Sequence, residues 1–224
     1  MDLTYTFAKI YTHRLPPENS DSFNRLTGEY DKLWDKLLAT KYPDLAVFVE
    51  QVQEIGTDNW LTVYWGKHRD EVERADKISE SDPQLKDLGD RTFKFLKYDE
   101  KTWERSWEVK RIYTTGSENR KSTYSLIVTF EYPVPRDKEN AYLEQIDKIS
   151  EVWSRNHLKN GIVREQNILL ETNSNKVMEF YRYERRADYD ADLKSNGDIA
   201  EIWEAIKSLA GISDSNVIEH IYKV

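Results

Sequence analysis

The chain has 224 residues with 41 acidic and 33 basic side chains, a formal net charge of −8 and no cysteine. Disulfides, thiolate nucleophiles and Cys-ligated metals are excluded outright, and the acidic balance argues against a phosphate-binding surface and hence against nucleic acid as a partner. The length suits one large domain or two of about 110 residues each.

The opening residues, MDLTYTFAKIYTH, lack a basic segment followed by an apolar run, and no stretch approaches membrane-spanning length. A cytoplasmic location without a membrane partner is the expectation. Thr4–His13 alternates and reads as a strand, ended by Pro16 and Pro17. ENSD then offers caps for a helix from about Asp21 to Ala39, whose Phe23, Leu26, Tyr30, Leu33, Trp34 and Leu37 recur at a 3.6-residue period. Ala46–Ile55 is a second strand, and Gly56-Thr57-Asp58-Asn59 a tight connection into a third. Helix follows from about Arg69, is interrupted near Ser81-Asp82-Pro83, and resumes between Gln84 and Glu104. Trp107–Thr115 is a fourth strand.

After the polar run Gly116–Ser122 the order restarts. Tyr124–Tyr132 is a strand, about Asp137 to Leu158 a helix, and Ile162–Glu171 and Lys176–Arg182 two more strands. Helical material runs from Arg185, with Ile199, Ile202, Trp203, Ile206 and Leu209 as an apolar stripe, and Val217–Val224 closes the chain as a strand. Asn59–Ser79 and Asn175–Ser195 align without a gap, placing Tyr64 on Phe180, Ala75 on Ala191 and Asp76 on Asp192. Glu165-Gln166 repeats Glu50-Gln51, and IEHIY near the end echoes VKRIY at Val109–Tyr113.

Each half therefore reads β-α-β-β-α-β, the ferredoxin-like order, with an antiparallel sheet carrying its helices on one face. The fold class expected is α+β: two tandem ferredoxin-like (βαββαβ) halves, 1–115 and 124–224, joined by a linker at 116–123. Apolar residues on both strand faces predict an internal pseudo-dimeric α/β barrel, as a monomer or a homodimer.

No phosphate loop, Ser-His-Asp order, GxSxG elbow, HxH or HExxH is present, so neither a metal nor another cofactor is expected. His13, His68 and His157 fall near element ends and read as surface or capping residues. His220 lies mid-strand, and its repeat partner is Arg111. The pair could line a cavity and orient an anionic or carbonyl ligand; the plainer reading is a satisfied core histidine and a salt-bridged arginine. Asp76 and Asp192, the repeated helical carboxylates, could each act as a general base, or simply be solvated or capping residues. Gln51 and Gln166 sit in otherwise apolar strands, where ligand contact and a structural hydrogen bond are both open. Tyr64 and Phe180 belong to aromatic strands that serve packing first and an apolar pocket second.

Phe180–Ser195, FYRYERRADYDADLKS, resembles the strand-to-helix stretch of the dimeric α/β-barrel superfamily, which includes antibiotic-biosynthesis monooxygenase-like, EthD-like and NIPSNAP-like domains. That resemblance implies a ferredoxin-like fold and a place among cofactor-independent oxygenases, haem-binding or haem-degrading enzymes, and proteins of unknown role. Several oxygenase-like members carry a helical histidine where this chain has Asp76 and Asp192. The expectation is a protein binding a small apolar or aromatic molecule in a sheet–helix cavity. The alternatives are a cofactor-independent monooxygenase or isomerase on an aromatic or polyketide-like substrate, and a structural or interaction module. His220, Asp192 and Asp76 are the catalytic candidates; Arg111, His220, Gln51, Gln166, Tyr64 and Phe180 are the ligand-binding ones.

Overall fold

The computed structural model describes residues 5–99, 103–115, 124–160, 164–194 and 196–224. The chain divides into two compact units, Met1–Trp107 and Glu108–Val224. The expected linker, 116–123, lies outside the described residues. Among the described residues no helix is long and apolar enough to cross a membrane.

The first unit runs β1 (Phe7–Arg14), α1 (Ser20–Thr40), β2 (Val47–Glu54), β3 (Asn59–Gly66), α2 (Arg69–Ser81) and α3 (Pro83–Phe93). β3 lies between β1 and β2, antiparallel to both. Alternation along β1 buries Ala8 and Ile10 on one face and turns Lys9, Tyr11 and His13 toward the helices. Gly56, at φ +83°, makes the turn between β2 and β3 that a side chain would strain. No side chain caps α1; the chain enters it through a 3-10 turn at Pro17–Asn19. Asp82 ends α2 and caps α3, accepting from the Gln84 and Leu85 N–H groups, while Pro83 opens the new helix. The predicted extension of α3 toward Glu104 does not form. The chain turns at Phe95 and Leu96, and Lys97 exchanges backbone hydrogen bonds with Arg14 of β1. β4 (Glu104–Thr115) then crosses the division between the units.

The second unit runs β5 (Leu126–Pro133), α4 (Glu139–Asn160), β6 (Arg164–Glu171), β7 (Lys176–Tyr183), α5 (Arg186–Lys194), α6 (Ala200–Ala210) and β8 (Ile218–Lys223). Its sheet order is β8-β5-β7-β6, antiparallel throughout. One face packs on α4, α5 and α6 through Val128, Tyr132, Ile146, Trp153, Tyr181 and Ile206. This is the ferredoxin-like order expected.

Register corrects the gapless repeat by one residue. Phe7 pairs with Gly66 at the place where Leu126 pairs with Tyr183 in the second unit. β3 and β7 therefore correspond at a separation of 117 residues (59 to 176), as do the starts of α2 and α5 (69 to 186) and of α3 and α6 (83 to 200). The helix caps agree: the His68 N–H donates to Glu71, and the Arg185 N–H donates to Asp188. Tyr64 thus corresponds to Tyr181, and both face the helices; Phe180 pairs with Thr129 on the opposite face. A one-residue slip moves a strand side chain to the other side of its sheet. The corresponding residue to Asp192 is Ala75, and that to Asp76 is Leu193. Coincident residues along the strand and the helix, Asn59 with Asn175 and Ala75 with Ala191 among them, produced the slip, because residue identity carries no information on strand facing.

Candidate functional site in the first unit

A cavity of about 300 Å³ lies between the sheet and the helices of the first unit. The sheet contributes Lys9, Tyr11 and His13 from β1, Gln51 from β2, and Thr62 and Tyr64 from β3. The helices contribute Phe23, Thr27 and Tyr30 from α1, Asp76 and Ser79 from α2, and Gly89 and Phe93 from α3. Trp103 and Glu104 complete the wall.

The cavity follows from the side chains of α3. At the corresponding places α6 carries Trp203, Ile206 and Leu209, which pack into the second unit's core, with Ile206 fully buried. α3 has Lys86, Gly89 and Thr92 there. A Cβ added at Gly89 would meet nothing within 4 Å. The sheet below differs in step. Where Lys9 and His13 lie in the first unit, the second has Val128 and Tyr132, and its interior is closed by a polar network. The hydroxyls of Tyr132 and Tyr181 donate to Glu179, and Gln166 donates to the Tyr181 oxygen at 2.9 Å and accepts from Ser150 at 3.1 Å.

At one end of the first unit's cavity stands a charge cluster. The Lys9 ammonium lies 2.5 Å from Asp76 and 2.9 Å from Glu104. Burial lowers the Lys9 pKa, but hydrogen bonds and charges from both carboxylates outweigh it, and the net shift is upward. Asp76 is also shifted upward, first by burial, which Lys9 opposes and the charges of Glu104 and Glu80 reinforce. The two shifts point in opposite senses for one ion pair. Both hold, because burial, with the charges of Glu104 and Glu80, raises Asp76 by more than the ammonium it shares with Glu104 lowers it. Burial first, then these carboxylates, keeps the Tyr11 hydroxyl protonated far above neutrality. Tyr64 is raised chiefly by burial, and Tyr30, also raised by burial, donates to Ser79 Oγ at 2.9 Å.

The other end carries His13, 6% exposed, with its ring 6.4 Å from that of Phe23. Burial pushes its imidazole down to about 4, so it is neutral at physiological pH. His13 Nε2 is buried without a hydrogen-bond partner, and so is Thr27 Oγ1; both residues line the cavity. An unpaired buried polar atom costs about 1–3 kcal/mol, so two in one cavity point to a group that completes them. Tyr11 and Trp103, ring centroids 4.9 Å apart, form an aromatic wall, and Phe93 meets Trp103 edge-on at 6.0 Å. Among the described residues no three acidic or histidine side chains are grouped to hold a metal ion.

The sequence-based candidates scatter. Gln51, Tyr64 and Asp76 line the cavity. Arg111 instead donates to Asp147 of α4 at 3.0 Å, beside Tyr113, whose hydroxyl bonds the same carboxylate. His220 pairs with Thr129 on the face of the second sheet that points away from the helices, 6.1 Å from Tyr222 by ring centroids. Neither Arg111 nor His220 is among the residues lining the first unit's cavity. Asp192 is buried and accepts from the Tyr183 hydroxyl at 2.7 Å. Gln166 belongs to the buried network and Phe180 to the far face. Glu50, beside Gln51, accepts from Trp65 Nε1 at 2.7 Å.

Among the histidines, His68 precedes α2 as a cap residue, as expected, and the side chain of His157 lies outside the described residues. His13 is not the surface residue its strand-end position suggested. The signal for it was the alternation Phe7-Lys9-Tyr11-His13, which sets all four on one face of β1. Lys9, Tyr11, Trp103 and Glu104 also escaped sequence reading, since a lone lysine in a strand reads as solvated.

No family model and no curated protein matches the chain at significant similarity. Solved structures do. A candidate monooxygenase from Lactobacillus acidophilus NCFM superposes with a TM-score of 0.63 at 9% identity, over 99% of this chain and 94% of that one. A candidate monooxygenase from Fusobacterium nucleatum gives 0.61 at 13% identity, over 99% and 92%. A mutant chlorite dismutase from Candidatus Nitrospira defluvii gives 0.55 at 9%, over 98% and 93%. At these identities the likeness is one of fold alone.

Proposed function

We propose that this chain is a member of the dimeric α/β-barrel superfamily and binds a small aromatic molecule in the cavity of its first unit. The observation that carries the reading is the pair of unsatisfied polar atoms, His13 Nε2 and Thr27 Oγ1, within an aromatic-walled space of about 300 Å³. That volume is at the lower end for ligand pockets and suits one or two rings. Gln51 and Tyr64 belong to the proposed site, with Asp76 at its charged end. Arg111, His220, Gln166, Phe180 and Asp192 are not part of it.

Binding is favoured over proton abstraction. An imidazole held near 4 is a weak base at neutral pH, whereas an efficient general base titrates close to the working pH. The names of the oxygenase-like neighbours keep a cofactor-independent oxygenase or isomerase as the second reading. For that reading, Asp76 at the charged end is the candidate base. The test is native mass spectrometry of the purified chain after incubation with a metabolite extract, followed by calorimetry with the retained compound. Retention of an aromatic compound that is lost in His13→Phe supports the site; no retained compound from any extract, and no heat with simple phenols or indoles, overturns it. Turnover of the retained compound in air would favour the second reading.

We further read the two units as a tandem duplication, supported by their common element order and the matching caps at Glu71 and Asp188. A cysteine-free chain accords with a cytoplasmic location.

A further inference from the structure

The charge around the cavity is lopsided. Four carboxylates among its lining residues, Asp76, Glu80, Asp90 and Glu104, face two ammonium groups, Lys9 and Lys86. Lys86 is engaged along its own helix with Asp90 at 3.0 Å. Lys9 is left to serve both Asp76 and Glu104, while Glu80 stands near Asp76 with no ammonium of its own among the cavity's lining residues. We propose that the ligand is an organic cation: an aromatic amine whose ammonium completes the Asp76–Glu104–Glu80 end and whose far end presents a hydroxyl or carbonyl to His13. The proposal rests on the aromatic-binding reading above and names its substrate class.

Three independent features agree. The aromatic wall of Tyr11 and Trp103 borders the acidic end, and a cation already stands over it, Lys9 Nζ lying 5.7 Å from the Tyr11 ring centroid. Aromatic faces with carboxylates behind them are what binds organic ammonium groups. The unpartnered, buried His13 Nε2 marks the opposite end. Lys9 and His13 are four residues apart on one strand face, about 13 Å along the strand. A one- or two-ring arylalkylamine bridges that span once the side chains at both ends reach inward. A bare metal ion does not fit, since no three ligating side chains are grouped to hold one among the described residues. An anionic aromatic acid would bring a further negative charge to the carboxylates.

Calorimetry at low salt with two matched series tests this: tyramine, its neutral isostere 4-propylphenol and 3-(4-hydroxyphenyl)propionate, then tryptamine, its neutral isostere 3-propylindole and indole-3-propionate. The amine should bind on the order of tenfold tighter than its neutral partner, the worth of one charge-assisted hydrogen bond, and the acid weakest. Asp76→Asn should shrink the amine's advantage to less than about threefold without weakening the neutral compound. Should Asp76→Asn fail to fold, Glu80→Gln, at an exposed carboxylate, carries the same test. His13→Phe should abolish the preference for tyramine over phenethylamine and keep the preference for amine over neutral compound. Neutral compounds binding as tightly as amines, or an amine preference untouched in both acidic variants, overturns the cation assignment and leaves aromatic binding standing. No binding by any member of either series removes the aromatic-binding reading itself.

Discussion

Gly89 on α3 stands where Ile206 stands on α6, each the seventh residue of an eleven-residue helix laid over its sheet. Ile206 is fully buried in the second unit's core, whereas a Cβ at Gly89 would enter open space. A helix-interior glycine costs about 1 kcal/mol relative to alanine, so its presence sacrifices stability for room.

Gly89→Leu should therefore fill the cavity without harming the fold. Its unfolding midpoint should stay level or rise, by up to about 1 kcal/mol in stability, while aromatic ligands lose at least about tenfold in affinity. Denaturant unfolding and calorimetry on one preparation check both. A variant that binds unchanged places the ligand elsewhere.

His13 should make the protein acid-labile. Its folded value, about 4, lies below the ordinary 6.5, so the fold stabilises the neutral ring. That stability is complete above pH 6.5 and is lost as pH falls through about 4, amounting to about 3 kcal/mol in all. Asp76, shifted the other way, contributes the opposite slope to wild type and variant alike. The difference in unfolding free energy between wild type and His13→Phe isolates the ring. It should move against the wild type between pH 7 and 4; a flat difference means the ring is not held neutral.

Removing Lys9 strands two carboxylates. Lys9→Met should destabilise by about 1–3 kcal/mol, below the range for a fully buried pair because Asp76 and Glu104 keep some solvent. Protonation of Asp76 relieves the loss, so the penalty should shrink between pH 8 and pH 5. A penalty that grows on acidification contradicts the upward shift of Asp76.

In the second unit Arg182 and Glu165, each 4% exposed, pair at 2.5 Å on the face away from the helices. Arg182→Met removes the guanidinium from a buried carboxylate that also accepts from the Asn167 amide at 2.9 Å, and should cost about 3–5 kcal/mol; adding Glu165→Leu should restore most of it. Denaturant titration of both variants measures the recovery. Ligand affinity in the double variant should equal that of the wild type, because the cavity lies wholly within the first unit.

Periodicity alone determined the order of elements. The alternation of Thr4–His13 and the 3.6-residue stripe from Phe23 to Leu37 are local patterns set by backbone geometry, and Asp82-Pro83 is a helix break that needs no tertiary partner. The ferredoxin-like order of the second unit was legible for the same reason. Strand register was not. Whether Tyr64 answers Phe180 or Tyr181 depends on hydrogen bonds to β1 and β5, and a shift of one residue reverses every face. The site was legible only at Gln51, Tyr64 and Asp76, which lay in segments already noted for their repetition. Lys9, His13 and Glu104 acquire their character from neighbours 10 to 95 residues away in sequence, through burial and shared charge. Those are properties of the packed interior, and only the tertiary structure, by setting a glycine of α3 over that face of the sheet, decided that there would be a cavity for them to line.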